Sequence, residues 1–346
     1  MPITGDTAMQ DIFHDPAFGI ITLTDAIQRI AFQPGRVGQM GIFLETSVPT
    51  VDIAIEERGG VLILVPPTPR GGPGTTLPKP ARALRVLRAP HFEINDAIMA
   101  EEVQGVRAWG AEDQVDMVMD KVSERMVTHR ASMEVTMEYA RVGAIMGIVT
   151  YADGSTLNLF TEFEVTQEPV VAFNLTAANP VGGVLRQTCT ALIRTMSKNL
   201  GGVPFTGVTA ICGDNFFDAL LMHPEVRATF LNTPDAAQLR MPYINFDGLI
   251  YGTFPFGGIT WENYRGYVAG TSFIGTDNAH FFPTGTPNLF RTYMAPADYI
   301  ETVNRPGQRM YVKQYDMPND KGVHFDVQMN PLNICTRPKV LMKGTK

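Results

Sequence analysis

The side chains that could do chemistry stand singly along this chain, without the spacings that catalytic and metal-binding sites use. There is no GxSxG nucleophile turn, no GxxxxGKS or GxxxxGKT phosphate loop and no HExxH zinc pair. Carboxylates are paired at Glu56-Glu57 and Glu101-Glu102, but adjacent residues on a strand point to opposite faces. The scattered histidines are His14, His91, His129, His223, His280 and His324. The sequence therefore predicts no catalytic, metal-binding or cofactor-binding residues, and no enzyme activity.

The cysteines indicate the redox setting. Cys189, Cys212 and Cys335 are odd in number, far apart and without a CxxC pair, so neither a disulfide framework nor a zinc ribbon is predicted. The first residues lack the basic and apolar segments of a signal peptide, and no run of about 18 apolar residues suggests a membrane span. We therefore expect a protein that is made and used in a reducing cytoplasm.

The composition favours a chain that buries surface against copies of itself. Hydrophobic residues make up 45% of the sequence and charged residues only 18%, and the 18 methionines suit adaptable contacts. The net charge is −7 and the sequence shows no Lys/Arg cluster, so a dedicated nucleic-acid binder is not expected. DNA near this protein would be enclosed by it and not bound tightly.

One long amphipathic helix is predicted at 112–146, and the rest of the chain is organised around it. This stretch has no proline, its first glycine is Gly143, and apolar residues recur at helical spacing with charges between them. The apolar stripe drifts, so a coiled coil is not favoured. At ~1.5 Å per residue the rod would be roughly 50 Å long, which is typical of an extended, assembling subunit.

A two-stranded flap is predicted between the N-terminal arm and the long helix. VDIAIEE alternates apolar and polar residues, GGVLILVPP is a turn followed by an apolar run, and ARALRVLR returns as a basic strand. The tip, PPTPRGGPGTTLPKP, is too rich in proline and glycine for regular structure. Because a lone hairpin is marginally stable in water, we expect the flap to lie on a neighbouring subunit.

The remaining chain predicts a second lobe that mixes helices and strands. ADGS after the long helix predicts a hairpin turn. Asn179 is expected to cap a helix that Pro180 opens, and a later helix is expected to break at Pro224. Residues 273–290 are expected to form a loop, and the chain from Gln308 to form three strands.

Three stretches, in this order, resemble the lambda-type major capsid protein family of tailed phages, also called phage major capsid protein E. They are VDIAIEERGGVLILVPPTPRGGPG, HFEINDAIMAEEVQGVRAWG, and the long helix running into MEYARVGAIMGIVTYADGST. The resemblance covers residues 51–163 with matching segment lengths. VQGVRAWG and the helix-to-ADGS hairpin are its more specific parts, while the strand-rich remainder matches only in layout.

The resemblance implies an α+β chain with the Hong Kong 97-type phage capsid fold, which has a long spine helix, an extended β-hairpin loop, and peripheral and axial domains. The implied division is an N-terminal arm (1–45), the extended loop (46–92), the peripheral domain (93–178) with the spine helix (112–146), the axial domain (179–302), and C-terminal strands that return to the peripheral domain (303–346).

The implied function is that of a major capsid protein of a tailed double-stranded DNA bacteriophage. Copies would self-assemble in the bacterial host cytoplasm into hexamers and pentamers of an icosahedral virion head that encloses the genome. The implied partners are other copies, a portal and a decoration protein, with no membrane and no cofactor. Because no long charged helical extension precedes the body, a separate scaffolding protein is expected.

Contacts between subunits are expected to combine apolar burial with arginine–carboxylate pairs. The predicted contact residues are Arg58, Val61, Leu62, Ile63, Leu64, Val65, Arg70, Lys79, Arg82, Arg85, Arg88, Glu101, Glu102, Asp113 and Asp116. Some shells of this kind join a flap lysine to a neighbour's asparagine, for which Lys79 with Asn330 or Asn333 would be the candidates here. Since no catalytic carboxylate is marked for this reaction, non-covalent locking is expected.

Two other functions stay open on the sequence alone. An encapsulin-like nanocompartment would have the same fold but would enclose protein cargo. A cytoplasmic α+β enzyme would be a monomer or small oligomer with a defined pocket.

Overall fold

A computed structural model describes residues 24, 27, 35–58, 82–103, 114–231, 252–268, 270–318 and 321–346. The helices in these ranges are α1 (Arg36–Gln39), α2 (Ala100–Val103), α3 (Gln114–Met146), α4 (Leu159–Glu162), α5 (Val184–Leu200), α6 (Asp214–Met222) and α7 (Pro224–Leu231). The strands are β1 (Phe43–Ser47), β2 (Asp52–Arg58), β3 (Arg82–Arg88), β4 (Phe92–Met99), β5 (Ile148–Thr150), β6 (Thr156–Asn158), β7 (Val171–Ala172), β8 (Gly207–Cys212), β9 (Thr253–Phe256), β10 (Ile259–Asn263), β11 (Tyr267–Val268), β12 (Thr271–Ser272), β13 (Asn278–Thr284), β14 (Phe290–Met294), β15 (Tyr311–Asp316), β16 (Gly322–Met329), β17 (Pro331–Cys335) and β18 (Met342–Thr345).

The predicted long helix is confirmed by α3, which has 33 residues. It ends at Met146 because Gly147 adopts φ 84°, a left-handed conformation that glycine takes without strain. Its methionine- and valine-rich side packs in one core cluster with the sheet β15-β16-β4, where Met133 and Phe325 are both buried. Gly143 lets β5 lie directly against the helix, since a Cβ there would stand 2.7 Å from the Cα of Val149.

The largest sheet has six strands in the order β7-β18-β13-β8-β10-β9. One of its faces holds an aromatic cluster, in which Trp261 stacks on Phe216 of α6 at 5.9 Å and meets Phe281 edge-on at 5.3 Å. The opposite face meets the sheet β1-β14-β17, where Phe282 contacts Phe290 edge-on at 5.8 Å. The core therefore lies in layers on both faces of this sheet.

The chain from Tyr311 onward joins all three larger sheets. β15 and β16 form a sheet with β4, β17 pairs with β14, and β18 lies between β7 and β13. Three strands were expected here, and the structure has four. The last of them belongs to the six-stranded sheet and not to the sheet beside the long helix.

Residues 273–290 are not a loop, contrary to the sequence prediction. They include β13, which pairs with β8 on one side and with β18 on the other. The glycines, Asp277 and Pro283 suggested a turn, but pairing on both sides outweighs these local signals. Pro283 is tolerated in β13 because the pairing of β13 with β18 ends at Phe281. The N–H group that proline lacks is therefore not needed on the side of β13 that faces β18.

The predicted start of the second helix at Asn179 and Pro180 is also wrong. α5 begins at Val184, after Gly183 at φ 89°. The cap comes instead from Glu225 at the start of α7, whose carboxylate accepts hydrogen bonds from the backbone N–H groups of Gly183, Leu185 and Arg186, each at 3.2 Å. The break at Pro224 is confirmed, since α6 ends at Met222 and α7 begins at Pro224.

The flap strands pair as predicted at their root. β2 and β3 form an antiparallel ladder from Asp52 with Arg88 to Arg58 with Arg82. One face of this ladder is buried in its own subunit through Ile53, Ile55 and Leu87. The predicted apolar strand and tip between these two strands lie outside the described residues.

Candidate functional site

The predicted inter-subunit residues divide by how much of each the structure describes. Outside the described residues lie Val61, Leu62, Ile63, Leu64, Val65, Arg70, Lys79 and Asp113. Arg58, Arg82 and Asp116 lie on described backbone, in β2, β3 and α3. The side chains of Arg85, Arg88, Glu101 and Glu102 are described, and two of these four are held by their own subunit.

Arg85 fastens the flap root to the body of the same chain. Its guanidinium donates to the carbonyls of Glu162, at 2.5 Å, and Phe163, at 3.3 Å, and forms an ion pair with Glu164 at 3.4 Å. It also lies over the Phe163 ring at 5.8 Å from the centroid. On the opposite face of the ladder Val86 is 60% exposed beside the pair of Asp52 with Arg88, so the root has one attached face and one open face that is mostly charged.

Glu102 is likewise engaged within its own chain, in a cluster that joins β4 and α2 to the long helix. Arg125 of α3 pairs with Glu102 and with Asp96, the latter at 2.9 Å, and His129 pairs with Asp96 at 2.8 Å. Burial raises the pKa of Asp96, but the N–H of Ala97, His129 and Arg125 together lower it below its usual value. Glu101 beside this cluster is exposed and faces outward.

A second cluster centres on Glu138, a buried carboxylate of α3. It accepts hydrogen bonds from the backbone N–H groups of Val37, at 2.6 Å, and Gly38, at 3.1 Å, and from the Tyr264 hydroxyl, at 3.1 Å. Burial raises the pKa of Glu138, and these donors and Arg141 oppose that rise without cancelling it. One side chain therefore joins the long helix, the segment before β1 and the end of β10.

The chain before α1 is bonded to its own subunit at two described residues, one at the long helix and one at β15. Arg130 of α3 donates to the carbonyl of Ile27 and forms an ion pair with Glu134 at 2.8 Å. The Thr24 hydroxyl exchanges hydrogen bonds with the backbone of Val312, at 3.2 and 3.4 Å, along the outer edge of β15. This part of the predicted N-terminal arm thus lies on its own subunit.

Large apolar side chains are exposed in neighbouring pairs away from these clusters. Ile300 and Val303 are 89% and 63% exposed in the turn after β14, and Tyr267 and Val268 are 67% and 43% exposed in β11. Single exposed apolar residues are ordinary, but adjacent ones of this size are typical of surfaces that a partner covers. These positions were not singled out from the sequence, because their exposure depends on the tertiary fold.

The described residues contain no arrangement suited to metal or nucleophilic chemistry. No three His, Cys, Asp or Glu side chains among them gather closely enough to hold a metal ion. Burial raises the pKa of the Cys189 and Cys335 thiols to about 12, so neither is a nucleophile near neutral pH. Burial lowers the pKa of His280 to about 4, which keeps the ring neutral.

One open groove of about 560 Å³ is lined by five threonines, by the ion pair of Arg36 with Glu262 and by apolar side chains such as those of Ile42 and Phe290. No His or Cys lies in its lining. No helix in the described part of the chain has the length and apolarity needed to cross a membrane.

A long helix, a hairpin with one open face, pairs of exposed apolar side chains and clusters that join elements within the chain are typical of a structural protein that assembles with copies of itself. The chain belongs to the phage major capsid protein E family, whose model matches residues 20–346. The resemblance seen in the sequence is thereby confirmed.

Two relatives and one solved structure agree with this membership. The major capsid protein of Pseudomonas phage KPP10 is 27% identical over 342 residues, covering 94% of this chain and 96% of that protein. The major capsid protein of Salmonella phage Felix O1 is 24% identical over 364 aligned positions, covering 94% and 95%. A crystal structure described as a prophage capsid protein of E. coli CFT073 has a TM-score of 0.59 at 11% identity, covering 94% of this chain and 98% of that one, so it is similar in fold.

Proposed function

We propose that this chain is the shell-forming subunit of a tailed-phage head, a major capsid protein whose copies form the hexamers and pentamers of an icosahedral virion shell around double-stranded DNA. The observation that carries the proposal is the family match over residues 20–346. Full-length alignment with two phage major capsid proteins supports it. The exposed apolar pairs and the open face of the flap root are surfaces for neighbouring copies.

In this proposal the fold is of the Hong Kong 97 type and α3 is its spine helix. The support is the length of α3 and its position between the sheet β15-β16-β4 and the hairpin β5-β6. The six-stranded sheet with α5 and α6 would be the axial domain, and the elements around α3 the peripheral domain. Since β18 lies in the six-stranded sheet, the C-terminal strands would join both domains.

The flap would be the extended loop that reaches an adjacent subunit. Its root is fixed by Arg85 and by the buried Ile53, Ile55 and Leu87, which gives the distal part a firm base. Arg88 is exposed at the end of β3 and is available for a carboxylate of a neighbouring subunit. We propose that this carboxylate is the exposed Glu101 of the neighbour. Contacts of this kind are individually weak and add up over many copies.

Electron microscopy of the protein expressed alone and with its neighbouring phage genes tests the proposal. Closed shells, or rings of five and six subunits, are the expected result. Shells that co-purify with a protein cargo and never with DNA would favour an encapsulin-like compartment. A homogeneous monomer or small oligomer under both conditions would refute the proposal and would favour the alternative of a cytoplasmic α+β enzyme.

Deletion of residues 67–80 tests the role of the flap. The subunit should still fold, because the described root contacts do not include these residues, but shells should form poorly. A matched variant that replaces the same residues with a glycine–serine segment of equal length separates loss of reach from loss of specific contacts. Normal, stable shells from the deletion would contradict the proposed flap contact.

A scaffolding protein, a portal and a decoration protein are part of the same proposal. Co-expression tests each one, since a partner that is required should change the yield, the size or the outer surface of the shells.

A further inference from the structure

The exposed side of α5 is basic. Arg186, Arg194 and Lys198 are exposed along this helix, and its 17 residues include no aspartate or glutamate. Arg186 is in contact with Glu225 at 4.0 Å near the start of the helix. The other two lie four residues apart, one helical turn or about 6 Å along the axis, on the same side.

A distant segment adds two further cations at the end of α5. The Arg337 guanidinium donates to the carbonyl of Leu200 at 3.1 Å, and the Asn199 amide donates to the carbonyl of Lys339 at 3.2 Å. These bonds hold the 3₁₀ turn at Pro338–Val340 against the last turn of α5. We call Arg194, Lys198, Arg337 and Lys339 the α5 basic surface. The sequence could not show it, because its halves are far apart along the chain.

The charges of this surface are poorly balanced within the subunit. Among the described residues, Arg194, Lys198 and Lys339 form no ion pair within 4.0 Å. The neighbouring carboxylate is Glu168, which accepts from the Asn199 amide at 2.9 Å. Although the chain has a net charge of −7, the cations on this surface outnumber the carboxylates described beside them. An external anionic partner would supply the balancing negative charges.

We propose that the α5 basic surface contacts the phosphate backbone of the enclosed DNA. This inference rests on the proposed shell function, which places double-stranded DNA inside the assembly. Phosphate contact requires only positioned cations, and it is independent of base sequence. An acidic protein partner fits less well, since the residues between Arg194 and Lys198 are Thr195, the buried Met196 and Ser197, and none of them is an exposed apolar or aromatic anchor. The exposed large apolar side chain of α5, Val184, lies ten residues before Arg194.

Four cations per subunit make a weak contact, and repetition over a shell makes it collectively significant. Each phosphate neutralised changes the slope of log K against log salt by about 0.9. The attraction is therefore sensitive to ionic strength, and such a surface would line the DNA without holding any site tightly. The composition led us to expect that DNA is enclosed and not bound tightly, and this inference adds a weak contact to that expectation.

The test measures salt-dependent binding of the full-length chain to a short DNA duplex of random sequence, by fluorescence anisotropy. The informative variant is Arg194→Gln with Lys198→Gln. The matched control is Arg305→Gln with Lys321→Gln, which removes two exposed cations elsewhere. The first variant should reduce the magnitude of the salt slope by about 1.8, the value for two phosphate contacts, and the control should leave it unchanged.

Each other outcome overturns the proposal. Equal slopes for the two variants, or no duplex binding by wild type at low salt, would show that this surface does not contact DNA. A competition experiment compares polyglutamate with unlabelled duplex at equal concentrations of negative charge. If polyglutamate displaces the labelled duplex more strongly, the surface would be assigned to an acidic protein. Micrographs of the same preparations distinguish failure of this inference from failure of the proposed shell function. If wild type forms shells but this surface does not contact DNA, only the present inference is refuted.

Discussion

Replacing Glu138 with alanine should weaken the junction between the long helix, the segment before β1 and the end of β10. The substitution leaves three donors without their acceptor: the N–H groups of Val37 and Gly38 and the Tyr264 hydroxyl. Val37 and Tyr264 are buried, whereas Gly38 reaches solvent. The buried N–H group of Val37 without an acceptor costs about 1–3 kcal/mol, and loss of the Tyr264 hydrogen bond adds about 1 kcal/mol, which together give roughly 3 kcal/mol. Removing a desolvated carboxylate offsets part of this, so we expect a net loss of about 2 kcal/mol.

The assay is denaturant unfolding of the purified subunit, followed by tryptophan fluorescence, to which the fully buried Trp261 contributes. Glu124→Ala is the matched control, since it removes a carboxylate from the exposed side of the same helix and should change the free energy of unfolding by less than about 0.5 kcal/mol. A loss for Glu138→Ala as small as that of the control would refute the reasoning, because the donors would then be satisfied without the carboxylate.

The pH dependence of the same junction has a definite sign. Burial raises the folded-state pKa of Glu138 above its usual value of 4.5, so the folded protein favours the protonated acid. The resulting stabilisation is complete below about pH 4 and is lost as the pH rises through the folded-state pKa. The unfolding free energy of wild type relative to Glu138→Gln should therefore fall as the pH rises above the usual carboxyl pKa of 4.5. A difference that stays constant or grows with pH would contradict this.

Three further predictions concern packing, thiols and cross-links. Gly143→Ala should lower the free energy of unfolding by about 1–2 kcal/mol despite alanine's better helix propensity, because its Cβ would meet the backbone of Val149 at 2.7 Å; a denaturation midpoint equal to wild type would contradict it. Cys189 and Cys335 should react with a thiol reagent only after unfolding, since their pKa values are about 12, and fast labelling of the native protein would show otherwise. Particles denatured in SDS should migrate as a 38.0 kDa chain, because Asn330 is buried with its amide bonded to the carbonyl of residue 296 at 2.6 Å; a covalent ladder would refute this.

Features set by local chemistry could be predicted from the sequence. The long helix has apolar residues at helical spacing, contains no proline and ends before a glycine, and the hairpin that follows it carries an Asp-Gly turn. The break at Pro224 follows from the missing N–H and the ring of proline. In each case a few neighbouring residues determine the outcome.

Features set by partners distant in sequence could not be predicted. β13 is a strand because β8 and β18 lie on its two sides, although its own residues include turn formers. α5 starts at Val184 because Glu225 reaches its first N–H groups from another helix. The same limit applies to the candidate site: the charges of Arg85 and Glu102 suggested contacts with a neighbour, and the partners that both have within their own chain could not be seen in the sequence. Their contact with a neighbour stays a prediction.

The strands that follow Tyr311 have a consequence for how the chain matures after synthesis. Because this segment completes three sheets, none of them can close until late in translation, and the pairing of Val171 with Gly344 joins residues far apart in sequence. Such non-local pairings make folding slow, and the unfilled edges of β13 and β14 are open to wrong partners in the meantime. A shell protein gains from this order, since a half-made chain does not yet present the finished surfaces through which copies associate, and nucleation of a shell is delayed until subunits are whole.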